Sequence, residues 1–406
     1  MNYRKQHLAG ITIIEVLFSV GIIVTGLLGV AGLIMISGTQ MSQGLEADSM
    51  SNAGLNAISE FDTRKMRRPD NLLWYNPSTN SFTSVLSSNL YGPGADNRWG
   101  TAGVDDDNNG VIDDVTEAGY ANDDLEPSPS FCIDPFFIAQ QVVDGNPNTH
   151  EFNLFPGRPP AANLVQMRRV TLKNPNPAFP TQNLPLSLFQ SREIFIAKDD
   201  LSISKPPSAT ELPQQMWIEN KAKRLNAAET SWMATLTPNR NREDPQNNNT
   251  LEPTDQYLLS IVIFNNRFIN YTDANADPEK ERPLNITFLN RGFGGGEIQL
   301  SAPLDPTTGL SDPTQLELKH GDWVMLSADS NIRYCFRWYR ISYIEDETPI
   351  NQINAAGEYY RHATLQGPDW SRPEWHNGTY TTHVTFIPGV IGVFEKTIRM
   401  ESTSLY

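Results

Sequence analysis

Between Gly103 and Gly119 the chain reads GVDDDNNGVIDDVTEAG, and five of these residues are aspartates. Carboxylate and amide oxygens at alternate positions of a tight loop are what a calcium ion takes as ligands. With Asp105 at the first loop position, Asp107 stands third, Asn109 fifth, Gly110 sixth, Val111 seventh and Asp113 ninth. The glycine permits the sharp turn, Val111 offers its carbonyl oxygen, and Ile112 is the apolar residue that packs such a loop onto its support. Thr116 occupies the twelfth position, where an EF-hand carries a bidentate Glu; Asp114 and Glu117 are the candidates to close the shell. No helix pattern flanks the loop, so it would stand alone. Adjacent aspartates repel one another unless a cation sits among them, which makes bound Ca2+ the expectation.

The second residue with chemistry to explain is Glu15, placed inside an apolar run that continues uncharged from Val16 to Ile36. The run is long enough to cross a bilayer, and a carboxylate within it costs about 2.5 to 3.5 kcal/mol. Such a charge survives when a cation is held against it. Ahead of the run lie ten residues that include Arg4, Lys5 and His7. A secretory signal ends in a small-residue cleavage site after its apolar core and carries no acid within it, so this is not that pattern.

A short basic leader, Gly10, then Ile11-Thr12-Ile13-Ile14 and Glu15 resemble the prepilin signal of the type IV pilin family, which includes the pseudopilins of type II secretion. The resemblance covers roughly the first sixty residues and departs from the family in having Ile, not Phe, at position 11. It implies cleavage after Gly10 by a prepilin peptidase/methyltransferase and a methylated Ile11 amine. Glu15 would pair with that amine on a neighbouring pilin subunit. It further implies membrane lipid around the helix before assembly, inner-membrane assembly machinery as a partner, and a head outside the cytoplasm, in a periplasmic or extracellular filament. The chain's size suits a large minor-pilin-like subunit; a secretion pseudopilin and a pilus-borne adhesin are the alternatives.

Composition narrows the rest. The 406 residues carry a formal net charge of -16, which repels phosphate backbones and argues against general nucleic-acid binding. Cys132 and Cys335 are the two cysteines; on the far side of a membrane they either join in a disulfide or sit as small buried hydrophobes. The motifs of hydrolases and phosphate-binding loops do not occur, Gly292-Phe293-Gly294-Gly295-Gly296 being followed by Glu297. The expectation is a protein that is not an enzyme.

These residues need elements to hold them. The apolar helix is predicted to continue past Ile36 as an amphipathic stretch, 37–68, stopped by Arg67-Arg68-Pro69. About fifty-five helical residues would span about 80 Å. Residues 69–126 read as a loop region around the Asp-rich stretch, with turns and short strands from Asn71 to Ser88, Leu73-Trp74-Tyr75 among them. Residues 127–256 read as irregular and β-rich, with strand-length pieces at Phe136–Val143, Leu164–Leu172 and Glu193–Ala197, a candidate helix at Glu211–Asn226 and an exposed polar loop from Thr237 to Asp255. From 257 to 406 strand patterns recur at Tyr257–Phe264, Glu297–Leu300, Trp323–Ser327, Arg333–Ile344, Glu358–Leu365, Thr379–Ile387 and Ile391–Met400, which is antiparallel β. The aromatic density of Arg333–Ile344 suits a sheet packed on the long helix. The predicted class is α+β: a long pilin-type helix, transmembrane in its first half, followed by a large antiparallel β-rich head.

Overall fold

The computed structural model describes residues 13–76, 80–85, 130–143, 150–157, 165–174, 183–196, 230–238, 256–265, 267, 281–290, 292–305, 308–329, 334–346, 352–369 and 382–401. It forms two units, Met1–Ser51 and Asn52–Tyr406. The described part of the first is helix α1, which runs Ile13–Thr63 and so contributes its last turns to the second.

The helix ends before the predicted Arg68, and its own backbone, not Pro69, ends it. Lys65 takes a φ of 56°. The Met66 amide donates back to the Phe61 carbonyl at 3.1 Å and the Lys65 amide to the Asp62 carbonyl at 3.2 Å. That is a Schellman closure with lysine where glycine is usual. Phe61 and Met66, placed to make its apolar contact, are both fully buried. Arg67 and Arg68, expected as cations on the helix terminus, pair instead with Asp62 and Asp70.

The second unit is built on two β layers. Among the described residues its sheet has eight strands, of which the first seven are β1 (Leu72–Asn76), β2 (Ser81–Ser84), β3 (Phe131–Ile133), β4 (Leu154–Phe155), β5 (Met167–Leu172), β6 (Thr230–Pro238) and β7 (Gln256–Asn265). Then come β8 (Arg282–Phe288), β9 (Glu297–Ser301), β10 (Trp323–Asp329), β11 (Tyr334–Ile344), β12 (Tyr360–Gln366) and β13 (His383–Phe386), which close an antiparallel barrel in the order β10-β11-β12-β9-β8-β13. The last strand, β14 (Val390–Arg399), returns to the sheet, whose order is β14-β7-β6-β3-β5-β1-β2 with β4 beside β5. Its neighbours are antiparallel except β3 and β5, which run parallel.

Strand β7 shows why the layers stack as they do. Its apolar run is buried on both faces, as a strand covered on two sides must be. The period of two sends Tyr257, Leu259, Ile261 and Ile263 to one core, where Ala53, Ala57 and Phe61 of α1 lie. Val262 and Phe264 go to the opposite core, which the barrel supplies with Met325, Phe336 and Trp338. The aromatic strand β11 therefore packs on this sheet and not on α1 as its composition suggested; the Trp338 indole also donates to Thr235 on β6 at 3.2 Å. Val324, Leu326, Ile341 and Leu365 fill the barrel itself.

Two predicted strands are helices. Phe136–Val143 lies in α2 (Pro135–Val143), between which and β5 stands α3 (His150–Asn153); Glu193–Ala197 overlaps the end of α4 (Leu188–Phe195). Local chemistry explains both. Asp134 caps α2, with Pro135 at its first position. Ser187 and Gln190 form a capping box on α4. Strands β6 and β8 have no counterpart in the sequence reading. The candidate helix 211–226 and most of the predicted polar loop, from 239 on, lie outside the described residues.

Candidate functional site

Ile13–Ile34 is long and apolar enough to cross a membrane. At about 1.5 Å per residue these 22 residues extend about 33 Å, against about 30 Å of hydrocarbon core. Its large side chains point outward all round: Ile13 is 80% exposed, Phe18 71% and Leu33 67%. A helix apolar on every face needs an apolar surrounding. The hydroxyls within it are satisfied locally, Ser19 donating to the Glu15 carbonyl at 2.8 Å and Thr25 to the Gly21 carbonyl at 2.9 Å. Hydrogen bonds of that kind keep polar groups closed inside lipid. Among the described residues, a Cβ added at Gly21, Gly26, Gly29 or Gly32 would meet nothing within 4 Å. Each glycine costs a helix about 1 kcal/mol relative to Ala.

Glu15 lies exposed in the first turn of this helix, where the dipole favours a negative charge. Gly10 and Ile11 lie outside the described residues, as do Asp105, Asp107, Asn109, Val111, Asp113, Asp114 and Glu117. Among the described residues no group of three or more His, Cys, Asp or Glu is placed to hold a metal ion. Cys132 is a free, buried thiol, and the side chain of Cys335 lies outside the described residues. The Cys132 sulfur sits 3.8 Å from that of Met233, in the apolar layer between sheet and barrel, and burial pushes the thiol's pKa well up. Cys132 packs there as a small buried hydrophobe.

A second cluster was not foreseen. Asp134, Arg169, Arg267 and Glu281 meet inside the second unit and are almost wholly buried. Arg169, on β5, reaches Asp134 at 2.5 Å and both oxygens of Glu281 at 2.8 and 3.0 Å. Arg267 takes both oxygens of Asp134, at 2.8 and 2.6 Å. Glu281 also accepts from the Gly157 amide at 2.5 Å. The guanidinium of Arg169 lies over Phe137 at 4.0 Å, and that of Arg267 over Phe264 at 4.5 Å. Burial pushes the Asp134 carboxyl up, but the two guanidiniums outweigh it and hold its pKa below the usual value. With two acids answering two bases at hydrogen-bonding distance, the arrangement holds structure together and offers no activated nucleophile or base. The signal in the sequence is faint: two arginines in the otherwise strand-like Met167–Leu172, and Asp134 ahead of Pro135.

No protein-family model, curated protein or solved structure matches the chain.

Proposed function

We propose that this chain is a filament subunit of the type IV pilin class, a large minor-pilin-like member that is structural and not enzymatic. Its leader is cut after Gly10 by the prepilin peptidase, which also methylates Ile11. Helix α1 then holds the subunit in the inner membrane as a single pass, with the β-rich unit outside the cytoplasm, until the assembly machinery draws it into the filament. There the same helix lies among those of other pilin subunits, and Glu15 pairs with the Ile11 ammonium of a neighbour.

The observation that carries this reading is a junction: the Gly10–Glu15 signal runs directly into a helix that is apolar on every face from Ile13 to Ile34. Lipid and the helices of neighbouring subunits are both apolar, so one surface serves the two states in turn. The glycines at 21, 26, 29 and 32 support the second state, since small residues let helices approach closely. A buried carboxylate needs its cation in either setting.

The test is the amino terminus of the protein recovered from membranes of cells that carry a prepilin peptidase. It is expected to begin at N-methylated Ile11, and Gly10→Val is expected to retain the leader; residues 1–10 intact in the unaltered protein would end the proposal. Glu15→Ala is expected to be cut but lost from the sheared filament fraction, and undiminished incorporation would remove the pairing step. Within the same proposal the loop of Asp105, Asp107, Asn109, Val111, Asp113 and Glu117 binds Ca2+ and stiffens the β-rich unit. EDTA should then lower the melting temperature, and an unchanged melting curve counts against the ion.

A further inference from the structure

Strands β7 and β14 are neighbours in the sheet, yet the whole barrel lies between them in the chain. They meet at the end nearest the barrel, where the Asn265 amide donates to the Gly389 carbonyl at 2.8 Å. The chain therefore leaves the sheet for the barrel and comes back at almost the same place. The return crossing is short: β13 ends at Phe386 and β14 begins at Val390, with Gly389 at a φ of 83° turning the corner.

The outward crossing runs from Arg267, just past β7, to Glu281, just before β8. These two residues supply one base and one acid of the buried cluster, and the sheet side supplies the others. Arg267 binds Asp134, at the joint of β3 and α2; Asp134 binds Arg169 on β5; Arg169 binds Glu281. The four form an unbroken chain of charge whose two ends are the two ends of the crossing. Apolar packing between barrel and sheet is non-directional and tolerates sliding, whereas bidentate guanidinium–carboxylate contacts hold in one geometry only. Removing one member strands a buried charge on another, so such a chain holds as a whole or fails as a whole.

We propose that Arg267, Asp134, Arg169 and Glu281 act as a clasp that couples barrel to sheet, making the two open and unfold as one cooperative body. The alternative is that the apolar layer around Met325, Phe336 and Trp338 is sufficient by itself and that the charges add only local stability.

The test is hydrogen exchange by mass spectrometry on the full-length protein in mild denaturant, comparing peptides from β6–β7 with peptides from β8–β13. In the unaltered protein the slowest amides of both are expected to exchange through one common opening. Glu281→Gln keeps volume and an acceptor for Gly157 but removes the charge that holds Arg169. It is expected to speed exchange in the barrel by at least about tenfold over that in β6–β7. Arg267→Lys retains charge but loses the two-pronged contact, and is expected to split the two regions in the same direction by less; it serves if the first variant does not fold. Equal acceleration in both regions, or none in either, overturns the proposal.

Discussion

Asp134 does three things with one carboxylate: it caps α2, takes both nitrogens of Arg267 and takes a third contact from Arg169. Because its folded-state pKa is depressed, the stability it contributes is complete above the ordinary aspartate range and is lost as pH falls through the lowered value. Melting temperature should accordingly drop below about pH 4. Asp134→Asn should flatten that acid limb while lowering stability at neutral pH by about 3–5 kcal/mol, since two buried guanidiniums then share one acid. Identical acid limbs in the two proteins would show that Asp134 is not the group titrating. The start of α2 was marked at this position, since Asp before Pro is a helix-opening pair, although Phe136–Val143 was expected as a strand. The partners were not: Arg169 and Arg267 are brought to Asp134 by strand pairing across the sheet, and no local pattern records that.

At the scale of elements, Gly54 on α1 shows what one residue's size can hold in place. A Cβ there would stand 2.4 Å from the ring of Phe394 on β14, so helix and strand meet at a distance only glycine allows. On helix propensity alone Gly54→Ala should stabilise by about 1 kcal/mol. The ring reverses the sign, and a net loss of about 1–3 kcal/mol is expected from overpacking. Phe394→Leu in the same chain should recover much of it. Urea denaturation of the two variants decides, and a gain in stability from Gly54→Ala alone would show that the ring moves aside freely. The strands from β7 onward were legible wherever apolar residues alternate or run continuously between turns, as in Tyr257–Phe264 and around Pro388-Gly389. Phe136–Val143 misled because its short apolar run suits a strand or a buried helix equally, and the deciding residues lie just ahead of it. The end of α1 misled for the opposite reason: Pro69 is a visible stop, and the closure at Lys65 comes earlier without the glycine that usually announces it.

For the molecule as a whole, an apolar helix followed by an antiparallel β-rich unit could be read from the chain, but the two-layer division could not. The split depends on β14 passing over all six barrel strands to join β7, and two strands so far apart carry no mark of belonging together. That connection also orders events in time. Residues 256–265 leave the ribosome well before 390–399, so β7 waits with one side of its hydrogen-bonding ladder bare while the barrel is made. Bringing the two together closes a long loop, which is a slow kind of contact to form. Synthesis that stopped anywhere within the barrel would leave that bare, strongly apolar strand as a template for other chains. The final strand is thus the one that makes the newly made protein safe from aggregation.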